Sequence, residues 1–216
     1  MKSIVSLGLF MFALSFCSLS EKLSQLRGES NSVNQSSSSN SATNSGKTAA
    51  TDETIEKPKL TAAQQTISDG GQEVKWDDQG IAWRLPKNWK KMNVSKTMFN
   101  YGSPDLAFLI ANVSVMPDNF PSDVSLKATY ESALQQLKNG KYENARYLEI
   151  DGIKGVEFTE MMPEDKSGAR RHQWIAFRNY LGQTQQLNIM LSTKGSNFER
   201  HRDDFPAVLY SMKIAK

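Results

Sequence analysis

The groups in this sequence that are best suited to acid–base or metal chemistry are one histidine and two nearby glutamates. His172 follows a pair of arginines, and Glu157 and Glu160 precede it in what the pattern predicts to be the neighbouring strand of a hairpin. One histidine with two carboxylates is a donor set that a metal ion accepts. We favour a solvated strand face with cross-strand charge pairs. The sequence therefore predicts no metal site and no cofactor, and it leaves His172, Glu157 and Glu160 as candidates.

The remaining chemistry-bearing residues do not form a recognisable catalytic pattern. Nucleophile-elbow, P-loop, dinucleotide and His-Glu-x-x-His patterns do not occur in the sequence. His201 stands among charged residues, which predicts the exposed face of a final helix. The four tryptophans are expected in the core rather than along a ligand groove. We therefore expect a protein that is not an enzyme, with a small hydrolase or metal-dependent enzyme as the alternative.

Composition and charge exclude several function classes. Lysine and arginine number 26 against 23 aspartates and glutamates, a formal net charge of +3. Nucleic-acid-binding domains usually carry a clustered basic face, and the basic residues here form only short groups, so we expect no nucleic-acid partner. Because Cys17 is the only cysteine, an intramolecular disulfide, a four-cysteine zinc site and a Cys-x-x-Cys pair are all excluded for this sequence.

The first residues predict export. Lys2 precedes a mainly apolar run from Ile4 to Phe16, which has the length of a signal-peptide core and is shorter than the ~20 residues of a spanning helix. The segment Leu14-Ser15-Phe16-Cys17 resembles a bacterial lipobox, although Phe16 stands where that pattern has a small residue. We expect residues 1–17 to be a signal peptide ending at a lipidated Cys17. The alternative is cleavage shortly after Cys17, which would discard it.

A polar spacer is predicted to follow. Residues 18–69 are rich in serine, asparagine, threonine, glutamine and lysine, with a Ser/Asn run at 36–41. Such a segment cannot bury enough apolar surface to offset its ordering entropy. We therefore predict a disordered linker over 18–69 and one folded domain over 70–216.

Periodicity and turn residues predict an α+β domain. Consecutive strand patterns, interrupted by one helix and closed by another, indicate an antiparallel sheet covered by two helices. Pro206 is expected to kink or split the last helix. The predicted strands and helices are 73–76, 81–85, 98–101, 106–116, the helix 125–139, 146–150, 153–161, 170–180, 183–192 and the helix 196–212.

Three segments carry a family resemblance. The sequence from Gly80 to Trp89, the stretch from Ile150 to Phe158, and the ending Leu209-Tyr210-Ser211-Met212-Lys213-Ile214 resemble the PsbP/Mog-like α+β fold. Bacterial members of that group are often exported proteins or lipoproteins of the DcrB type. The resemblance implies accessory or binding roles and no shared catalytic residues.

These observations lead to one functional expectation and two alternatives. We expect a non-catalytic accessory or binding domain of an exported bacterial envelope protein. Its membrane attachment would be a lipid anchor on Cys17, facing the periplasm or the exterior, and its partner an unidentified protein that contacts the sheet or an edge strand. The alternatives are the small hydrolase or metal-dependent enzyme and a structural envelope protein.

Overall fold

The computed structural model describes residues 54–215. The predicted signal peptide, Cys17 and the predicted linker up to residue 53 lie outside these residues. Across 54–215, no helix is both long and apolar enough to cross a membrane.

A large antiparallel sheet forms the centre of the domain. Its strands, in chain order after a first hairpin, are β3 (Lys90–Val94), β4 (Met98–Gly102), β5 (Phe108–Val115), β6 (Tyr142–Ile150), β7 (Ile153–Glu160), β8 (Ala169–Tyr180) and β9 (Gln183–Lys194). They are ordered β3-β4-β5-β9-β8-β7-β6. Along β8 and β9, buried side chains alternate with more exposed ones, because successive residues of a strand point to opposite faces. The structure confirms the predicted α+β class with antiparallel strands.

A second, smaller sheet was not predicted as a separate unit. The predicted first hairpin is confirmed as β1 (Gln72–Trp76) and β2 (Ile81–Leu85), and β10 (Lys213–Ile214) pairs with β2 on its other side. Beside this pairing, the Ile214 amide donates to Asp151 Oδ2 (2.8 Å), and the amide of the next residue, Ala215, donates to the Gly80 carbonyl (2.7 Å). A two-residue strand has too short a pattern to be recognised in a sequence.

Within residues 54–215, four α-helices accompany the sheets: α1 (Ala62–Gly70), α2 (Ser122–Lys138), α3 (Gly195–Phe198) and α4 (Asp204–Tyr210). Short 3-10 helices lie at Asp77–Gln79 and Glu199–His201. The predicted helix 125–139 therefore begins three residues earlier, at Ser122. The predicted helix 196–212 is interrupted, but the break lies before Pro206, which is the third residue of α4. Proline is tolerated there because the first amides of a helix have no acceptor within it.

The linker prediction is wrong for its last part. Thr61 caps α1 through a reciprocal pair of hydrogen bonds with Gln64, and α1 packs against α4. Upstream, Glu56 forms a β-bridge with Leu148 at the edge of β6. Residues 54–70 therefore belong to the folded domain, although their polar composition suggested a spacer. Docking on the edge of β6 and on α4 supplies the stabilisation that the segment lacks by itself.

The main core lies between the large sheet, the small sheet and α4. Trp76, Trp83, Trp89 and Trp174 are each at most 1% exposed, which confirms their predicted place in the core. Phe99 stacks on Trp83 with ring centroids 4.8 Å apart. On the opposite face of the large sheet, α2 packs mainly against β6, β7 and β8.

Candidate functional site

Glu157 lies at the centre of a buried polar cluster between the large sheet and α4. Its neighbours on β7, Val156 and Phe158, face α2, so alternation along the strand directs Glu157 to the other face, where its side chain is fully buried. Glu157 Oε1 accepts hydrogen bonds from His172 Nε2 (2.7 Å) and from the Tyr210 hydroxyl (2.6 Å). We call Glu157, His172, Tyr210 and Arg146 the Glu157 cluster.

Arg146 completes the cluster from β6. Its Nε donates to Glu157 Oε2 at 2.5 Å, and its Nη2 donates to the Tyr210 hydroxyl at 2.9 Å. The third nitrogen, Nη1, donates to Glu56 at 2.7 Å. Charge-assisted bonds of this kind are stronger than neutral ones. The cluster thereby joins β6, β7, β8 and α4 to the segment that precedes α1.

The electrostatics of the cluster fix its protonation. Burial by itself would raise the pKa of Glu157, but the hydrogen bond from His172 and the charge of Arg146 lower it to about 2. Burial, reinforced by the Glu157 charge, raises the pKa of Tyr210 well above its usual range. Because an ionised carboxylate can only accept, we assign the Nε2 proton to His172; in the neutral form of the imidazole, Nδ1 is then an acceptor.

Two pockets adjoin the cluster. One, of about 310 Å³, is lined by His172, Thr159, Asn144 and Arg202 among others. The other, of about 330 Å³, is lined by Arg146 and by residues around Lys57. Tyr210 contributes to both pockets. His172 Nδ1 could therefore accept a hydrogen bond from a small polar ligand, whereas the Glu157 oxygens already have their donors.

The structure brings together only part of the predicted candidate set. His172 and Glu157 are in contact, but Glu160 instead accepts from Arg171 Nη1 at 2.8 Å. The predicted solvated face is wrong for His172 and Glu157, because α4 and Tyr210 cover that side of the sheet. Over residues 54–215, no three His, Cys, Asp or Glu side chains are grouped so that they could hold a metal ion. The lipidation candidate, Cys17, lies outside the described residues.

Sequence reasoning missed Arg146 and Tyr210. They lie 11 and 53 residues from Glu157 along the chain. Neither belongs to a catalytic motif, although Tyr210 lies in one of the segments that resemble the PsbP/Mog-like fold. One signal was available for Arg146, which begins a predicted strand next to the predicted strand of Glu157. In the structure the two residues lie directly opposite each other on β6 and β7. Aligning the two predicted strands about the Asp151-Gly152 turn would have indicated this oppositely charged pair.

His201 is buried, which corrects the prediction that it lies on an exposed helix face. Its Nδ1 contacts Asp204 Oδ2 at 2.8 Å and its Nε2 contacts Asp105 Oδ2 at 3.0 Å. Its ring stacks on Phe205. The hydrogen bond to Asp204, assisted by the charge of Asp105, raises the pKa of His201. Protonated His201 thus joins α4 to the turn between β4 and β5.

This geometry predicts a pH-dependent contribution to stability. Because the folded-state pKa of His201 is raised above 6.5, its contribution is complete below that pH and is lost as the pH rises through the folded-state pKa. We expect His201→Gln to cost about 1–2 kcal/mol at pH 6 and less at alkaline pH. Urea unfolding of both proteins across this range measures the difference. A difference that is independent of pH would contradict the assignment.

Comparison with known proteins gives loose structural likenesses. No family model and no curated protein matches the chain. A solved structure from Bacteroides thetaiotaomicron matches at 14% identity and a TM-score of 0.41, over 63% of this chain, which spans about half of that protein (46%). LpqN of Mycobacterium tuberculosis, described as involved in cell envelope biogenesis, matches at 16% identity and a TM-score of 0.47, over 74% of this chain and 99% of LpqN.

The yeast Ran-binding protein Mog1p from Saccharomyces cerevisiae also matches. Its identity is 12% and its TM-score 0.38, over 67% of this chain and 95% of Mog1p. At these identities and TM-scores, the matches indicate a loose similarity of backbone and nothing about function. The function of this chain has to be argued from its own residues.

Proposed function

We propose that this chain is a non-catalytic accessory or binding domain of an exported bacterial envelope protein of the DcrB type. In this proposal Cys17 carries a lipid anchor that holds the domain on the periplasmic or exterior face of a membrane. The domain acts by contacting a protein partner, without turnover.

The observation that carries the proposal is that both oxygens of the Glu157 carboxylate are engaged by neighbouring side chains. A general acid or base has to exchange a proton near the working pH. Glu157 has a pKa of about 2, and its oxygens accept from His172, Tyr210 and Arg146. The most enzyme-like cluster of the described domain is therefore committed to joining β6, β7, β8 and α4. This use of the cluster supports recognition through the surface rather than catalysis.

A surface suited to recognition lies beside α2. On the face of the large sheet where α2 covers β6 to β8, the strands β4, β5 and β9 carry half-buried side chains, among them Asn100, Ile110 and Met190. These three residues lie in one row across the strands. Apolar and amide groups side by side are typical of protein interfaces, which are not purely hydrophobic. This row supports a protein partner on the sheet.

The anchor is tested on protein purified from membranes of its own host. We expect intact mass spectrometry to show acyl mass on a mature chain that begins at Cys17. The Cys17→Ala variant should lose that mass and move to the soluble fraction, because multiple acyl chains are what retain such a protein at a membrane. An unmodified chain that begins a few residues after Cys17 would refute the anchor and leave a freely exported domain.

The binding role is tested in the same cells. A photo-cross-linking residue at Met190 should yield one discrete adduct with an envelope protein, and the same residue at Lys127, on the exposed side of α2, should not. Adducts of equal yield at both positions, or at neither, would remove the sheet face as the recognition surface.

One observation favours the second candidate, a small hydrolase or metal-dependent enzyme. Glu157 orients His172 so that Nδ1 remains as an acceptor beside a pocket of about 310 Å³, an arrangement also used for functional histidines. A hydrolytic activity lost in His172→Gln, with the free energy of unfolding unchanged, would establish this function in place of the binding role.

A further inference from the structure

The basic residues of this domain are unevenly placed along the chain. Residues 79–104 contain no aspartate or glutamate, and they hold five of the basic side chains. One of these, Arg84, is engaged with backbone carbonyls near the end of α1. The other four are exposed and lie in or beside the edge strand β3. We call them, with the neighbouring Met92, the lysine edge: Lys87, Lys90, Lys91, Met92 and Lys96.

The lysine edge is an unpaired border of the large sheet. β3 has β4 as its one neighbour in the sheet, and a bulge interrupts their pairing at Met92. Met92 is 62% exposed. Three lysines elsewhere in the domain, Lys57, Lys75 and Lys213, form ion pairs with carboxylates. Within the described residues, scattered ones such as Lys127 and Lys138 do not, so the distinguishing feature of the lysine edge is the clustering of its lysines in a segment without acidic residues. Among residues 54–215, the four lysines of the lysine edge form none.

We propose that the lysine edge docks the domain on an anionic lipid surface, an inference that rests on the proposed membrane location. Four ammonium groups without carboxylate partners complement lipid phosphates, and lysines near an anionic bilayer attract it additively. An exposed thioether among them can enter the headgroup region, as apolar side chains do at membrane interfaces. The lipid headgroups are therefore the occupant, and the edge strand lies against the membrane.

The architecture is compatible with docking by this edge. Glu56, near the start of the described residues, pairs with β6, which is the edge strand on the opposite border of the sheet from β3. Strand spacings place the two borders about 29 Å apart. The 36 residues between Cys17 and residue 54 could span several times that distance when extended, at about 3.3 Å per residue. A lipid on Cys17 and the lysine edge can thus contact the same membrane.

Edge lysines also discourage strand-to-strand aggregation, and this role alone would not require lipid binding. Protection of this kind acts where another strand would pair, which is along β3 itself. Lys87 and Lys96, however, lie on the turns before and after β3, so the charge extends beyond the edge that pairing would use. The extent of the charge favours a flat anionic surface over simple protection.

The test compares partition of the mature chain that the proposal implies, residues 17–216 with Cys17→Ala, into phosphatidylcholine vesicles and into vesicles that also contain phosphatidylglycerol. This protein carries neither acyl groups nor the basic start and apolar run of residues 1–16, so the ratio of its two partition coefficients isolates the charge-dependent binding of the domain and its spacer. We expect a ratio of at least about tenfold at low salt, which high salt abolishes. Replacing the four edge lysines by glutamine should bring the ratio close to one, with an unchanged circular dichroism spectrum.

A matched control removes the same charge elsewhere. Glutamine at four other exposed lysines should leave the ratio close to that of the parent; these are Lys127, Lys138, Lys141 and Lys194. Equal losses in both variants would overturn the proposal, because net charge would then explain the binding. A ratio of one in the parent, with edge-dependent cross-linking to an acidic envelope protein, would replace lipid by a protein partner. Because Cys17→Ala is used throughout, a missing acyl group affects the anchor and not this result.

Discussion

Replacing Glu157 with glutamine is expected to lower the free energy of unfolding by about 3 kcal/mol at pH 7. Glutamine keeps the shape of the side chain but presents an amide nitrogen where one carboxylate oxygen accepted. Arg146 then loses its negatively charged partner, and His172 and Tyr210 have to reorient their donors, at a site where Glu157 is 0% exposed. Breaking a buried ion pair typically costs about 3–5 kcal/mol. We expect the lower end of this range, because the Arg146 side chain is 33% exposed and can hydrogen-bond to water instead.

The same substitution should change the pH dependence of stability. Glu157 has a pKa of about 2 when folded against 4.5 when unperturbed, so its contribution is present above pH 4.5 and is lost as the pH falls toward 2. Urea unfolding between pH 3 and pH 7 should therefore show that the difference in free energy of unfolding between parent and variant becomes smaller as the pH falls. The shift corresponds to about 3 kcal/mol, in agreement with the loss expected at neutral pH.

Tyr210→Phe is the matched control for this prediction. It removes the hydroxyl that donates to Glu157 and accepts from Arg146 Nη2, and it leaves the ion pair between Arg146 and Glu157 in place. We expect a loss of about 1–2 kcal/mol from these two hydrogen bonds. If Glu157→Gln cost no more than Tyr210→Phe at pH 7, the cluster would not be the structural centre that we infer, and the support it gives to a non-catalytic function would be lost.

Turn chemistry made much of the fold predictable. Asp151-Gly152 and Leu181-Gly182 were expected to form the tight turns of the strand meander, and all four residues have positive φ, as two-residue hairpins require. The flanking strands follow by alternation of buried and exposed positions. These features are local, so the sequence contains them without knowledge of the tertiary structure.

The candidate site was predictable only in part, because its members meet through tertiary structure. A single glutamate within a strand usually indicates a solvent-facing position. Glu157 is buried instead because α4, some fifty residues later, brings Tyr210 over it. His201 is a similar case, since Asp105, which lies 96 residues away, holds its Nε2. Charge patterns along the chain do not report such long-range partners.

Gly155→Ala is expected to destabilise the domain by about 3 kcal/mol, at the upper end for an overpacked core. An alanine Cβ here would lie 2.4 Å from Cε2 and Nε1 of Trp174 and 2.8 Å from the Ile175 carbonyl oxygen. The Trp174 indole cannot easily move away from the added methyl group, because it is 0% exposed and its Nε1 donates to the Leu148 carbonyl. Urea unfolding followed by tryptophan fluorescence measures the loss and reports the displaced indole.

Gly70→Ala provides the comparison for this loss. Gly70 is the last residue of α1, and no heavy atom lies within 4 Å of the position that its Cβ would take. We expect a change of less than about 1 kcal/mol, in the stabilising direction, because alanine restricts the unfolded chain. Equal effects at both glycines would show that β7 can shift away from Trp174. A large loss at Gly155 alone would explain why glycine follows Lys154 in the segment that resembles the PsbP/Mog-like fold: the close approach of the buried indole to β7 requires it.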